Sequence, residues 1–511
     1  MGYQEITIKL STDYTEEQLR KKIATKLRVK QFSYQIEKKS LDARKKDQIH
    51  WQLRVAVSGK GVKGPTPEKR AELEIPHKPG RGKAVVVGSG PAGFFAAFAL
   101  QQAGYSVTLV ERGADVDRRD SGITRFESTG EFSPTCNYAF GEGGAGTFSD
   151  GKLTSRSKHI NKERAYILQR YIDAGAPAEI AFMTHPHLGS DNLKKIVKRL
   201  RQQFEELGGK VLFETMLDDL QVSNGRVTAA VTSAGTLEAD CFVVAPGHSA
   251  YETYRMLMQR GVQFRNKNFA IGCRVEHPQE LINQAQWGKP ALPGVKAAEY
   301  RLTHQTENKT PVYTFCMCPG GIVVPAAAYE GTNIVNGMSL YQRDGQFANA
   351  ACVSGVQFDQ LQGRETDPAE ALEWLETLER SFFDFAKGYR APACTIQDFM
   401  SGKANGAPGE SSHPIGLIEA PLWDLLPGTV AGAMQDGLHR FSRMIKGFET
   451  GNIMGLESKT SAPIQVLRER EGRCHGFDNL YLVGEGSGYA GGIISSGADG
   501  IKAALDIITN S

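Results

Sequence analysis

The chain has 511 residues, 40% of them hydrophobic and 23% charged, with a formal net charge of +3, an ordinary globular composition with room for two or three domains. No apolar run reaches the ~20 residues needed to cross a bilayer, and the opening MGYQEITIKL places Glu5 and Lys9 where a signal peptide needs unbroken apolar sequence, so a cytoplasmic chain is expected. Eight scattered cysteines read as reduced thiols, whereas 56 glycines mark places where the backbone comes close to something.

Residues 1–82 hold 19 Lys/Arg against 10 Asp/Glu, which raises a polyanion partner, although such charge is more often a solvated face. Nucleic acid is therefore the weaker expectation. Residues 4–10 predict a strand, and Thr15 with Glu16 and Glu17 predicts the start of a helix with Leu19, Ile23 and Leu27 on one face. Strand-like runs follow at Phe32–Ile36 and Ile49–Ser58, making a small α/β domain over residues 1–75. Gly59–Gly82, rich in glycine, proline and charge, has the composition of a linker, with residues 76–82 as its end.

Lys83–Val87 predicts an apolar strand, Pro91–Gln102 a helix and Ser106–Val110 a second strand, the βαβ order of a parallel sheet covered on both faces. Gly88-Ser89-Gly90-Pro91-Ala92-Gly93 fits GxGxxG in that context. Gly88 permits the turn, Gly90 the approach of a pyrophosphate and Gly93 close helix packing, with Pro91 tolerated at the helix start and Ala92 exposing its N–H. Glu111, followed by Arg112, ends the second strand where an acid accepts hydrogen bonds from an adenosine ribose.

Phe140–Lys152 is a second glycine-rich loop. It nearly satisfies a P-loop, but Leu153 stands where magnesium coordination needs Ser or Thr, so Gly144, Ala145, Gly146 and Lys152 are assigned to a flat ring and its phosphates. Short strands are predicted at Val211–Phe213, Leu220–Val222, Val227–Val231 and Phe242–Val244, with a turn at Asn224-Gly225. These read as hairpins inserted in the parallel sheet. The first part of the binding domain spans 83–249, residues 250–447 form a mixed α+β substrate or cap domain, and 448–511 return to the binding domain.

That return separates FAD from NAD. A strand, Asn479–Val483, runs into Gly484-Glu485-Gly486, and Gly491-Gly492-Ile493-Ile494 opens a helix through Ile507. Glu485 suits a ribityl hydroxyl, and a helix N-terminus beginning at Gly492 and Ile493 stabilises negative charge on a reduced flavin. Gly247 and His248 follow the Phe242–Val244 strand, a usual cofactor-crevice position, where shaping the turn is the alternative role for His248.

These residues, with Lys39–Lys46, Pro186–Asp191, Ala245–Ser249, Ile271–Pro278, Cys316–Gly321 and Asn336–Ser339, resemble the bacterial family of FAD-dependent proteins often labelled NAD(FAD)-utilising dehydrogenases. The resemblance runs the full length and implies a glutathione-reductase-like flavoprotein fold, FAD as cofactor and no particular substrate. Related flavoproteins often carry Asp where Glu485 stands.

For chemistry beyond the flavin, His187, His248, Arg274, Glu276 and Arg343 are the candidates. Arg274 and Glu276 share one strand face and are as well placed to pair with each other as to bind substrate. His187 precedes a helix begun by Ser190-Asp191, where capping outweighs proton transfer. Arg343 and Asn349 suit an anionic substrate. Cys316 and Cys318 are spaced CxC, neither the wider pair of a disulfide reductase nor a CxxC zinc pair, and buried strand cysteines are the default; no metal site is expected. The leading expectation is an FAD-dependent oxidoreductase acting on a small molecule, with NADH or NADPH as a transient donor. An RNA-modifying flavoenzyme and a non-catalytic flavin sensor are the alternatives.

Overall fold

The computed structural model describes residues 2–65 and 71–510. The middle of the expected linker, residues 66–70, lies outside the described residues. Leu73 and Ile75, at its end, pack against the core of the binding domain, and Lys78 N donates to the Ala103 carbonyl at 3.0 Å.

The N-terminal unit is a three-stranded antiparallel sheet in which His50–Gly59 lies between Gly2–Leu10 and Ser33–Asp42. Helix Glu16–Leu27 buries Leu19 and Ile23 against it, and Thr15 and Gln18 form a reciprocal capping box. Lys39 exchanges backbone hydrogen bonds with Phe182 and Thr184, which docks this sheet onto the rest of the chain.

Five parallel strands form the binding domain, in the order Leu480–Leu482, Cys241–Val244, Lys83–Val87, Ser106–Val110, Lys210–Leu212. Helices Pro91–Gln102 and Ile493–Thr509 pack together over one face. Two of the four strands expected as hairpins thus belong to this sheet. The inserted antiparallel unit is Leu217–Ser223, Arg226–Thr232 and Gly235–Glu238, with left-handed Asn224 and Gly225 making the turn. Alternation of apolar residues does not distinguish a short edge strand from a hairpin arm, because pairing partners are distant in sequence.

The remaining large element is an eight-stranded mixed sheet built around Phe269–Pro278, Pro311–Pro325 and Phe347–Val356, with helices Pro368–Ala386 and Gly428–Met444 contributing to its core. Asn452–Glu457 pairs with Phe269–Pro278 inside this sheet. The cap therefore carries the chain past the boundary expected at 447, and the parallel sheet resumes only at Leu480. Among the described residues no helix is long and apolar enough to cross a membrane.

Close backbone approach holds the binding domain together. A Cβ added to Gly93 would stand 1.9 Å from the Gly88 carbonyl oxygen and 3.2 Å from the Ala245 methyl group. Gly93→Ala is expected to lower stability by about 1–3 kcal/mol or more, since the obstructing atom is backbone and cannot rotate away. A urea unfolding midpoint equal to that of the native chain would show that the helix rides further from the sheet.

Candidate functional site

The Gly88–Gly93 turn is organised by Glu111, which is 5% exposed. Its Oε2 accepts from the Ser89 amide and the Ser89 hydroxyl, both at 2.8 Å, and its Oε1 accepts from the amides of Gly113 at 2.9 Å and Gly141 at 3.0 Å. Helix Pro91–Gln102 begins at Gly90 with no side-chain cap, so its first amides face outward. The glycine loop closes over this turn, bringing a Cβ built on Gly144 within 3.0 Å of Gly90 Cα.

Arg119 holds that loop in place, a role the sequence did not suggest. It is fully buried and donates to the carbonyls of Asn137, Tyr138, Glu142 and Gly144 at 2.8–2.9 Å. Burial pulls its guanidinium down to about 10, with Glu111 and Glu142 opposing, and it stays charged at neutral pH. Glu142 accepts from the Val116 amide and from Arg201. Arg112, expected near the adenosine, is paired to Glu252 at 2.6 Å and lies 3.9 Å over the Phe140 ring.

At the other end, Gly484 has φ +78° and packs on Ala92, while Gly486 approaches the Gly247 carbonyl. Helix Ile493–Thr509 starts at Gly492 without a side-chain cap. A Cβ on Gly247, Gly491 or Gly492 would meet nothing within 4 Å, whereas Gly146 lies against Ile493. His248, next to Gly247, is 9% exposed, with neither ring nitrogen hydrogen-bonded and Nδ1 3.7 Å from Glu485 Oε1. A buried imidazole with both nitrogens unpaired beside a carboxylate fits the polar end of a flavin. The residues of the two glycine motifs accordingly fit FAD.

The other candidates lie in the cap and are bound to one another. Arg274, fully buried, pairs with Glu457 at 2.6 Å and also donates to Asn349, Asn336 and the Cys316 carbonyl. Its expected pairing with Glu276 does not form; Glu276 accepts instead from the Ser412 amide and hydroxyl. Arg343 holds Asp150 through two bonds of 2.9 and 2.5 Å and also pairs with Glu299. Asn349 is 0% exposed, so neither it nor Arg343 is free to meet an anion. Lys152 is tied to Asp150 at 2.6 Å and to the Met317 carbonyl rather than turned toward a phosphate.

His187 Nε2 lies 3.0 Å from the Tyr341 carbonyl, and burial pulls its pKa down to about 4. The helix after it, Gly189–Glu206, has no side-chain cap, and the Asp191 carboxylate accepts instead from the Tyr341 amide. His187 therefore does not cap this helix. His277 Nε2 lies 2.8 Å from the Phe448 carbonyl, with its ring 4.4 Å from that of Phe448, and burial pulls its pKa down to about 4 as well.

The description "FAD-dependent protein, C-terminal domain-like" matches residues 268–460, an NAD(P)-binding Rossmann-like domain matches residues 86–126, and a domain of unknown function matches residues 3–58. An uncharacterized protein of Clostridium beijerinckii is 40% identical, over 98% of this chain and 97% of its own. Among solved structures, FqzB aligns with a TM-score of 0.39 at 12% identity, over 86% of this chain and 77% of its own. Glycine oxidase from Bacillus cereus aligns with a TM-score of 0.34 at 11% identity, over 84% and 95%.

Glu111→Gln distinguishes a purely ligand-binding carboxylate from one that also holds the loops. The amide nitrogen would replace one oxygen and confront two donors, at a cost of about 1–3 kcal/mol for each donor left unsatisfied. The expected outcome is a lower thermal midpoint without added cofactor together with reduced FAD occupancy. An unchanged midpoint with reduced occupancy would confine Glu111 to the ribose.

His277 gives a pH prediction with a definite sign. Its folded pKa of about 4 lies below the ordinary 6.5, so the unfolded chain binds more protons between those values and stability falls as pH drops through them. The contribution is up to about 1.4 kcal/mol per pH unit. His277→Gln, which does not titrate, should lose less stability than the native chain between pH 7 and 5. Parallel urea-midpoint profiles for the two proteins would mean that the imidazole takes up its proton over the same pH range folded as unfolded.

Proposed function

The chain belongs to the family of FAD-dependent proteins that carries this C-terminal domain, with FAD as its cofactor, and from that premise we propose that it is an FAD-dependent oxidoreductase acting on a small organic molecule. The observation that carries the reading is His248, buried beside Gly247 with neither ring nitrogen hydrogen-bonded and with Nδ1 3.7 Å from the Glu485 carboxylate. FAD, when bound, accepts and returns an electron pair. The protein's part is then to hold it and to manage protons and charge beside it.

Glu111 and the uncapped start of helix Pro91–Gln102 hold the adenosine and pyrophosphate half in this reading. The start of helix Ile493–Thr509 favours the negative charge that accompanies reduction. His248 holds a proton at Nδ1 or Nε2 and exchanges it with Glu485 or with substrate. No second GxGxxG stands between Gly208 and Gly447, so a nicotinamide donor reaches the ring through the substrate opening and leaves before substrate enters.

Purified protein is expected to release FAD on acid treatment, and anaerobic titration with NADH and NADPH to show weak saturation and ping-pong kinetics. His248→Asn should keep FAD bound while slowing reduction or reoxidation by about 10²-fold, the range of general acid–base assistance. Release of FMN alone, or a stable ternary complex with NADP of submicromolar affinity, about 8 kcal/mol or more, would refute the reading.

A further inference from the structure

Cys316-Met317-Cys318-Pro319-Gly320-Gly321 has no part in the flavin reading above. The two cysteines lie within strand Pro311–Pro325, where its pairing with Phe347–Val356 shifts register between Phe315 and Cys318 and again between Cys318 and Gly321. Cys316 has φ +45°, the left-handed region that a side chain disfavours. A regular strand advances about 3.3 Å per residue, which sets alternate Cα atoms near the widest span a disulfide bridges, about 6.8 Å. An irregular strand at this point relieves that limit. The Cys318 thiol donates to the Cys316 carbonyl oxygen at 3.3 Å.

The surroundings are charged. Arg274 Nη2 is 3.6 Å from Cys318 Sγ and 2.6 Å from the Cys316 carbonyl, and Lys152 donates to the carbonyl of Met317 between the two cysteines. Asp150 and Glu457 hold those two cations. The Cys318 hydrogen bond, then Lys152 and Arg274, hold the Cys316 thiol below its usual range against the effect of burial, and Cys318 is raised in turn. Cys273, Cys352 and Cys394 in the same sheet are different: burial alone leads and pushes each of them up. They behave as packed strand cysteines.

Lys152 also connects this pair to the flavin side. It continues the loop whose Gly146 lies against Ile493, and a few residues on the Ser155 hydroxyl meets that of Ser495 at 2.6 Å. The segment bordering the start of helix Ile493–Thr509 is thus the one that reaches the cysteines.

We propose that Cys316 and Cys318 are a redox-active dithiol that exchanges an electron pair with bound FAD, so that one half-reaction of this protein is thiol–disulfide chemistry. The proposal rests on the FAD reading above. In the oxidising direction the Cys316 Sγ–Cys318 Sγ bond forms and the Cys318 S–H bond breaks. Thiolate and thiol together give up two electrons and one proton, and FAD takes all three to become its singly protonated reduced anion. The reverse step reopens the disulfide.

The test has two arms. In the first, diamide is added to the protein with and without FAD and the cysteines are mapped by alkylation and peptide mass spectrometry. The expected product is a Cys316–Cys318 peptide lighter by two hydrogens, and both residues still alkylated as free thiols would overturn the proposal. In the second, the holoprotein is treated anaerobically with dithiothreitol while the visible flavin band is followed. Bleaching should be fast in the native protein and lost in both Cys316→Ser and Cys318→Ser, each checked for retained FAD. Equal bleaching in all three proteins would overturn the electron exchange. A protein without a flavin band overturns the FAD reading instead, and is distinguished by the absent band rather than by equal rates.

Discussion

The Glu111 carboxylate is the contact on which the rest of the binding domain depends. Buried at the end of strand Ser106–Val110, it gathers four donors from three separate segments: the glycine turn through Ser89, the chain just beyond itself through Gly113, and the second loop through Gly141. Removing a charge from water costs several kcal/mol, and hydrogen bonds to a charged group return roughly 1.5–3 kcal/mol each, so the carboxylate is tolerated only because all of these donors converge. Arg119 is its counterpart of opposite sign, a buried cation surrounded by four carbonyls of the same loop. One charge collects N–H groups and the other collects C=O groups. Between them they set the shape of an irregular stretch that has no ladder of its own.

That arrangement needs backbones close enough for amides and carbonyls to meet the charges, and the glycines provide it. Gly88 approaches Ala245, Gly93 approaches Gly88, and Gly500 of the last helix approaches the Ala92 carbonyl within 1.9 Å of where a Cβ would be. The start of helix Pro91–Gln102 therefore packs against the middle of helix Ile493–Thr509, and neither helix has a side-chain cap at its N-terminus. Two helix starts without side-chain caps suit a ligand that carries negative charge at both its phosphates and its reduced ring.

Much of this was legible in the sequence because it is local. A strand, a glycine turn, a helix and a terminal acid fall within residues 83–111, and a strand, glycines and a helix fall within 479–509. What was not legible depends on partners far along the chain. Lys210–Leu212 becomes an edge strand only because Ser106–Val110 accepts it, and Arg274 finds Glu457 rather than Glu276 because strand Asn452–Glu457 lies beside Phe269–Pro278. Two residues on one strand face are near enough to pair, but a cross-strand carboxylate 183 positions later meets the guanidinium more directly. Arg119 gave no signal at all, since its partners are backbone carbonyls, which every residue supplies.

The charge pattern of the cap bears on what the protein recognises. Arg343, Arg274 and Lys152 each have a carboxylate partner within the fold, Asp150 with Glu299, Glu457, and Asp150 respectively. For any of them to grip an anionic substrate, a buried pair would have to open and leave a carboxylate without its partner, a penalty of the order of 3–5 kcal/mol. A weakly held metabolite does not repay that. Arg274 and Lys152 act on their neighbours instead, Arg274 on the Cys316 carbonyl and the Cys318 sulfur and Lys152 on the Met317 carbonyl between the two cysteines. Where positive charge is fixed internally around sulfur, its physical effect is to stabilise thiolate.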